Sequence, residues 1–305
     1  MVDLNIKLSS DFLQEEIREG YTISSSMKKI WAVEFDLLSE FQRVCEKHRI
    51  KWWIDGGTLL GAVRHAGMIP WDDDIDVMLM RDEYDRLCSV AQKEFSFPYF
   101  FQTNKTDPGS MRGHAQLRNS ATTGILMGEK ELKMHFNQGI FIDIFPIDTI
   151  PADVLLLEKQ VRNVAEYKLQ ARTYWNWKVM CPNDFKRRLK ARCKFLAASL
   201  GLLHKGIDYR HAEVNFEREI RKYNSTSSNL VAKLVLPPFK PRRIWRKEWF
   251  EETVYLNFEW MKLPAPKGYV ELLDTFYGNW REYVVGVSSH GGVFFDTDRS
   301  YKEYI

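Results

Sequence analysis

Apolar and polar positions along the first half of the chain repeat with two periods, that of helices and that of strands. From residue 28 to residue 48 the apolar side chains recur every three or four positions, and Glu34 is a polar exception on that face. Short apolar runs bounded by turn residues indicate strands. The predicted strands are 52–54, 75–80, 99–103, 114–119 and 139–145, the last ended by Pro146, and the predicted helices are 28–48, 58–65 and 81–93.

The pattern changes after Pro151. Residues 152–223 have helical spacing with many lysines and arginines, and residues 230–305 are mixed and rich in aromatic side chains. Strands and helices in this arrangement predict a mixed α/β (α+β) fold. We therefore divide the chain into an N-terminal extension (1–26), an α/β core (27–151), a helical insertion (152–230) and a C-terminal segment that packs back on the core (231–305).

Composition narrows the class of protein without selecting a function. The 305 residues are 45% apolar and 28% charged, as in ordinary globular proteins, and the net charge of +3 creates no overall field that would attract nucleic acid. Four scattered cysteines lack zinc-site spacing and indicate reduced thiols. The longest clean apolar run, 195–203, is shorter than the ~20 residues of a spanning helix. We expect a cytoplasmic protein that at most lies on the inner face of a membrane.

Four aspartates stand within five residues, in the run Asp72-Asp73-Asp74-Ile75-Asp76. Residues two apart in a strand point to the same side, so we expect Asp74 and Asp76 to project together. Asp143 is a lone carboxylate in an apolar strand, where it is costly unless it is paired or bound to a metal. Carboxylate oxygens suit Mg²⁺ or Mn²⁺ better than zinc. These residues predict a magnesium site; the alternative for the acidic run alone is a solvated turn.

A glycine turn precedes the acidic run. Gly56 and Gly57 follow a predicted strand and open a helix, where close backbone approach and unpaired N–H groups suit a phosphate. Thr58 would cap the helix or contact a phosphate oxygen. Arg64 either binds phosphate or complements the helix dipole. Arg118 is a further candidate contact, although we favour a surface charge on an edge strand.

Two motifs resemble a known family. Residues 53–78 read WIDGGTLLGAVRHAGMIPWDDDIDVM and residues 137–146 read NQGIFIDIFP, with weaker matches at 266–269, 277–278, 298 and 301–305. They resemble the LicD family of phosphotransferases, which belongs to the nucleotidyltransferase-like superfamily and includes the fukutin-type enzymes. The resemblance implies a nucleotidyltransferase-like mixed β-sheet core within 27–151.

The same resemblance assigns roles to individual residues. It implies that Asp74 and Asp76 hold magnesium and that Asp143 is a third, catalytic carboxylate that ligates the metal. Asp143 would also accept the proton of the attacking hydroxyl, with Asp72 as the alternative base or a supporting group. The predicted substrate contacts are Gly56, Gly57, Thr58, Arg64, Arg118 and Gln138.

The implied substrates are a CDP-activated alcohol, typically CDP-choline, and a hydroxyl of a cell-surface glycan or its lipid-linked precursor, as in teichoic acid or lipopolysaccharide. The products are a phosphodiester and CMP. Choline favours aromatic ring faces, for which Trp280, Tyr283, Phe294 and Phe295 are candidates, although core packing explains most aromatic residues. CDP-ribitol and CDP-glycerol are alternative donors. An Asp-x-Asp glycosyltransferase, a nucleotidyltransferase that releases pyrophosphate and a non-catalytic binding module also remain open.

A basic segment, 186–205, has helical spacing. Its polar face carries Lys186, Lys190 and Lys194, and its opposite face carries Leu189, Cys193, Leu196, Leu200 and Leu203. Such a helix suits an anionic membrane surface, where a lipid-linked acceptor would be presented. The interpretation we favour from sequence is that the apolar face packs on the core and the polar face is solvated.

Overall fold

A computed structural model of the chain describes residues 1–9, 11–236, 243–285 and 292–305. The strands of this part are β1 (Glu16–Arg18), β2 (Tyr21–Ile23), β3 (Trp53–Ile54), β4 (Asp76–Met80), β5 (Tyr99–Gln102), β6 (Ala115–Asn119), β7 (Thr123–Leu126), β8 (Ile140–Ile150), β9 (Leu230–Ala232), β10 (Ile244–Arg246), β11 (Thr253–Phe258), β12 (Met261–Pro266) and β13 (Val293–Asp296).

The helices of the described residues alternate with the strands in the first half of the chain and follow one another after β8. They are α1 (Ser25–His48), α2 (Gly56–His65), α3 (Arg81–Glu94), α4 (Met127–Lys130), α5 (Val154–Val179), α6 (Phe185–Ser199), α7 (Ala212–Ile220) and α8 (Tyr269–Tyr277), with short 3-10 helices at Lys247–Phe250 and Tyr301–Glu303.

The main sheet is built around β8. Strands β10, β9, β8, β4 and β3 follow one another across it, and β6 and β5 join the same edge of β8 as β9. The first part of β8 pairs antiparallel with β6 and the last part pairs antiparallel with β9, while β4 pairs parallel on the opposite edge. This mixed sheet with flanking helices confirms the predicted mixed α/β fold.

The sequence predicted that Pro146 ends this strand, but β8 continues past it. Pro146 falls between the segment of β8 that pairs with β6 and the segment that pairs with β9. The amide of Asp143 donates to Ile75 on the β4 side, so the nitrogens at even positions face the other edge. On that edge, pairing with β6 stops at Ile144 and pairing with β9 starts at Asp148. The missing N–H of the proline therefore costs the sheet no hydrogen bond.

Helix α1 covers one face of the sheet and contacts β6 and β8. Its large apolar side chains, Trp31, Phe35 and Leu38 among them, are fully buried. Burial of each such side chain is worth about 1.5–3 kcal/mol, so this helix is a major part of the core. The hydroxyl of Ser24 accepts the amide of Met27 and caps its start.

The three helices after β8 pack mainly on one another, since α5 contacts both α6 and α7. Beyond them the chain returns to the sheet as β9 and β10. The β11–β12 hairpin packs against α2 and β3, and β13 pairs with β7. Among the described residues, no helix combines the length and the apolar character needed to cross a bilayer.

Candidate active site

Two aspartates face each other at the centre of the sheet. The parallel pairing of β4 and β8 places Asp76 opposite Asp143. The neighbours Ile75, Val77 and Leu79 are fully buried, as the alternating pattern predicted. Two carboxylates that lie far apart in sequence are therefore side by side on one face of the sheet.

Asp74 reaches this region from a loop and not from a strand. We expected it to share a strand face with Asp76, but β4 begins at Asp76, where its pairing with β8 starts, and β3 pairs only with Val77 and Met78. One carboxylate oxygen from each of Asp72, Asp73 and Asp74 lies within 4.8 Å of the others. The loop therefore forms an acidic cluster beside the Asp76–Asp143 pair.

The glycine turn packs directly against these carboxylates. A side chain at Gly57 would place its Cβ 2.3 Å from Oδ2 of Asp72, and one at Gly56 would lie 2.7 Å from Oδ2 of Asp76. Gly56 also has a φ of +51°, which favours glycine. The two glycines are thus required for the close approach of the acidic loop to the start of α2.

Thr58 is not the cap of α2 that the sequence suggested. The N-cap position is Asp55, and the Thr58 hydroxyl accepts the amide of Asp76 at 2.8 Å. Thr58 is buried, so it fixes the first residue of β4.

Asp143 is held by His114, directly before β6, and by Gln116, within β6, neither of which sequence reasoning singled out. His114 Nε2 lies 3.0 Å from Oδ1 of Asp143, and Gln116 Nε2 donates to the same oxygen at 2.6 Å. Burial alone would raise the pKa of Asp143, but His114 and Gln116 outweigh it and lower that pKa. The spacing of residues 114 and 116, which puts both side chains on one face, was the available signal.

Burial and mutual repulsion oppose the ionisation of two other carboxyl groups at the site. Burial raises the pKa of Asp72 and Asp76 well above its usual range, and the charge of Asp74 adds to both shifts. Such a cluster is stable only with compensating positive charge or with bound protons.

Comparison with known proteins agrees with this geometry. Residues 49–184 match the model of the family described as LicD/FKTN/FKRP, nucleotidyltransferase domain. Residues 49–184 are a LicD-family nucleotidyltransferase domain. The lipopolysaccharide cholinephosphotransferase LicD of Haemophilus influenzae is 27% identical over 249 residues, which cover 80% of this chain and 87% of that protein. The ribitol 5-phosphate transferase FKRP of human is 50% identical over 34 residues, 11% of this chain and 7% of that protein.

Within the LicD domain, Arg118 is buried and does not lie on an edge strand, so the surface-charge interpretation is wrong. Strand β6 runs between β5 and β8, and the guanidinium donates to Gln102 at 2.6 Å, to the carbonyl of Gly139 at 2.7 Å and to Oε1 of Gln116. Burial lowers the pKa of Arg118 to about 9. Since Gln116 in turn bonds Asp143, Arg118 orients the amide that holds this carboxylate.

The other predicted substrate contacts lie in different surroundings. Gln138 is buried and its Nε2 donates to the carbonyl of Met134 at 3.0 Å. Arg64 lies near the far end of α2 with its guanidinium 4.0 Å from the ring centre of Tyr283. Among the described residues, its Nε and Nη2 are buried without a hydrogen-bond partner.

The four candidate aromatic residues for choline do not contact one another within the described residues. Trp280 is nearly buried and its indole donates to Asp274, whereas Tyr283 is exposed. Phe294 and Phe295 lie on β13, where Phe294 contacts Tyr304. The structure therefore brings no aromatic cage together from these four side chains.

Two residues that follow the LicD domain in sequence, Lys233 and Tyr277, interact with carboxyl groups at the acidic site. Lys233 and Asp55 form a buried ion pair, with side chains 4% and 2% exposed. Burial and the charges of Asp55 and Asp76 raise the pKa of Tyr277. No local pattern marked Lys233, because its partner lies 178 positions away.

Replacing Lys233 by methionine should lower the free energy of unfolding by about 3–5 kcal/mol, because Asp55 would stay buried and uncompensated beside Asp76. The double variant Lys233→Met/Asp55→Asn should recover much of this loss, since it removes both charges. Urea unfolding measures each variant. Lys267→Met, whose partner Glu252 is exposed, is the control and should cost less than about 1 kcal/mol. Additive losses in the double variant would contradict a coupled ion pair.

Proposed function

We propose that the chain transfers phosphocholine from CDP-choline to a hydroxyl of a cell-surface glycan or of its lipid-linked precursor and releases CMP. The LicD relationship supports an enzyme that transfers a phospho-alcohol group. The observation that carries the proposal is the Asp76–Asp143 pair, held beside the acidic loop at a glycine turn inside the LicD domain. The choice of choline and of CDP follows the printed activity of the Haemophilus influenzae relative and the sequence motifs.

The carboxylates suit a divalent cation. All the donors are hard oxygens. Burial first, and then the charge of Asp74, raise the pKa of Asp72 and Asp76, and a bound cation would oppose both effects. Asp74, Asp76 and Asp143 would hold Mg²⁺, or Mn²⁺ in its place. When bound, the cation would neutralise charge on the donor pyrophosphate and on the leaving CMP.

The neighbours of Asp143 and Asp72 suggest different roles for these two aspartates. Because His114 and Gln116 both occupy Oδ1 of Asp143, its Oδ2 is directed away from them. The lowered pKa of Asp143 keeps it ionised, which suits a ligand better than a base. Asp72, whose pKa burial and Asp74 raise, is then the stronger candidate for accepting the proton of the acceptor hydroxyl.

Release of CMP from CDP-choline in the presence of Mg²⁺ and a glycan acceptor is the expected result. Asp76→Asn and Asp143→Asn should each reduce turnover at least ~10³-fold with unchanged circular dichroism, because each removes charge stabilisation of the transition state. The control is Asp82→Asn, at an exposed position of α3. Full turnover in EDTA or in either variant would rule out the metal mechanism.

The same assay separates the alternative donors and reactions. CDP-ribitol is the alternative suggested by the printed activity of FKRP, and CDP-glycerol is its close analogue. CMP release with either of these alone would replace choline in the proposal. Release of UDP from a nucleotide sugar would indicate a glycosyltransferase, and release of pyrophosphate from a nucleoside triphosphate would indicate a nucleotidyltransferase.

The basic segment 186–205 supports peripheral contact with a membrane. The helix ends at Ser199, earlier than predicted, and it packs on α5 through the buried Ala191 and Ala198. With ~100° of rotation per residue, the large apolar side chains of α6 fall within an arc of about 80° on the side of the helix opposite Ala191 and Ala198. This apolar stripe consists of Phe185, Leu189, Cys193, Leu196 and Leu200, all exposed. The prediction that this face packs on the core is therefore wrong.

Charge decides which partner fits the apolar stripe. Helix α6 carries six basic residues, Lys186, Arg187, Arg188, Lys190, Arg192 and Lys194, and no acidic residue. A second copy of the chain would bring two such cationic helices together, which is unfavourable, whereas anionic lipid supplies both an apolar layer and negative charge. We therefore propose that α6 lies on an anionic bilayer, where a lipid-linked acceptor would be within reach.

The chain should sediment with vesicles of phosphatidylcholine and phosphatidylglycerol but not with phosphatidylcholine alone, and salt should weaken the binding. Leu189→Ser together with Leu196→Ser should weaken it at least about tenfold, since each leucine is more than half exposed and available for insertion. Leu169→Ser, exposed on α5 outside the stripe, is the control. Equal binding of the double variant, or no binding of the unaltered chain to anionic vesicles, would exclude lipid and leave an acidic protein as the partner.

A further inference from the structure

Lys168 on α5 lies against the main sheet beside the proposed active site. Its Nζ donates a hydrogen bond to the carbonyl of Val235, three residues after β9. On the other side, a Cβ built on Gly113, two residues before β6, would lie 3.3 Å from the same Nζ. Strands β6 and β9 pair with successive parts of the same edge of β8. Lys168 therefore connects the segment that leads into β6 with the segment that leaves β9.

Phe145 places these two segments next to the proposed reaction centre. It is two positions from Asp143 in β8, so both side chains lie on the same face of the sheet. The centre of the Phe145 ring is 4.4 Å from that of His114 and 4.7 Å from Nζ of Lys233. His114 also contacts Asp143, at 3.0 Å. Lys168 therefore lies near Asp143, at the edge of β8 that pairs with β6 and β9.

The cations around Lys168 outnumber the carboxylates beside them. Arg112 donates two hydrogen bonds to Glu129, at 2.7 and 2.6 Å, and Arg172 lies 3.8 Å from the same carboxylate. Among the described residues, Lys168 forms no ion pair, and Nε of Arg112 is buried without a hydrogen-bond partner. Burial first, and then the charges of the two arginines, lower the pKa of Lys168 to about 7, and the charge of Asp143 offsets this only in part. These surroundings suit a bound anion.

The basic group lies on the opposite side of the Asp76–Asp143 pair from the proposed base. Asp72 packs against Gly57 at the start of α2, and the strand before that helix, β3, pairs with β4. Strands β6 and β9 pair with the edge of β8 that faces away from β4. In phosphoryl transfer the attacking and leaving oxygens are roughly in line on opposite sides of the phosphorus. With Asp72 on the side of the attacking hydroxyl, the leaving group departs toward Lys168.

We propose that Lys168, with Arg172 one helical turn after it, binds the phosphate of the leaving nucleotide, which is CMP in the proposed reaction. This inference rests on the proposed function and assigns its leaving-group subsite to the helical insertion. In the transfer, the acceptor oxygen bonds to the phosphorus that carries choline, and its proton passes to Asp72. The bond from that phosphorus to the bridging oxygen breaks, and the electron pair leaves with CMP, whose charge Lys168 would stabilise.

Equilibrium dialysis of the full chain with labelled CMP and Mg²⁺ tests this assignment. Lys168→Met should weaken CMP binding at least about tenfold, because a charge-assisted contact to the phosphate is lost. Binding of cytidine should not change, since cytidine lacks the phosphate. Lys168→Arg keeps the positive charge and should recover most of the CMP affinity. Lys159→Met, at an exposed position of the same helix, is the matched control and should bind CMP like the unaltered chain.

Arg172→Gln is the second variant, because its side chain is 53% exposed and its replacement should not disturb folding. It should weaken CMP binding about threefold. Equal losses of CMP and cytidine binding in Lys168→Met, or undiminished CMP binding in both variants, would overturn the inference, while CMP release from CDP-choline would keep the proposed function. Weaker binding of phosphocholine in place of CMP would also overturn it, because Lys168 would then contact the transferred phosphate. An unaltered chain that neither binds CMP nor releases it from any CDP-alcohol would overturn both.

Discussion

The parallel pairing of β4 with β8 is the constraint on which the rest of the site depends. It fixes Asp76 opposite Asp143 in the middle of a buried sheet, where two carboxylates repel each other and are poorly solvated. Side chains around the pair reduce the cost of this repulsion and poor solvation. Lys233 neutralises Asp55 close to Asp76, His114 contacts Oδ1 of Asp143, and Gln116 donates a hydrogen bond to the same oxygen.

The structure changes the interpretation of the glycine turn. From sequence, Gly56 and Gly57 suggested a cradle for a phosphate. In the structure they leave room for the carboxylates of Asp76 and Asp72, which would collide with any side chain there. The first N–H groups of α2 thus lie beside carboxyl groups of the protein itself.

The local features of the fold were predictable, and the long-range ones were not. Apolar periodicity located α1, α3, β4 and β6 to within three residues, because burial of one face follows from the spacing of neighbouring apolar positions. Pro146 was misjudged because its cost depends on which strands pair beside it. The exposed leucines of α6 were misjudged because periodicity shows that a helix has an apolar face but does not show which side meets the core.

The same distinction applies to the site. Aspartates in a recognisable motif could be named from sequence, but Lys233 and His114 act through partners that only the folded chain brings near. Lys233 and Glu34 lie on either side of the LicD domain in sequence, yet Lys233 balances a charge at its glycine turn, and burial together with the loop aspartates raises the pKa of Glu34. Residues 49–184 alone would contain Asp55 and the aspartate cluster without these neighbours. Both the stability and the charge of the site are therefore properties of the whole chain.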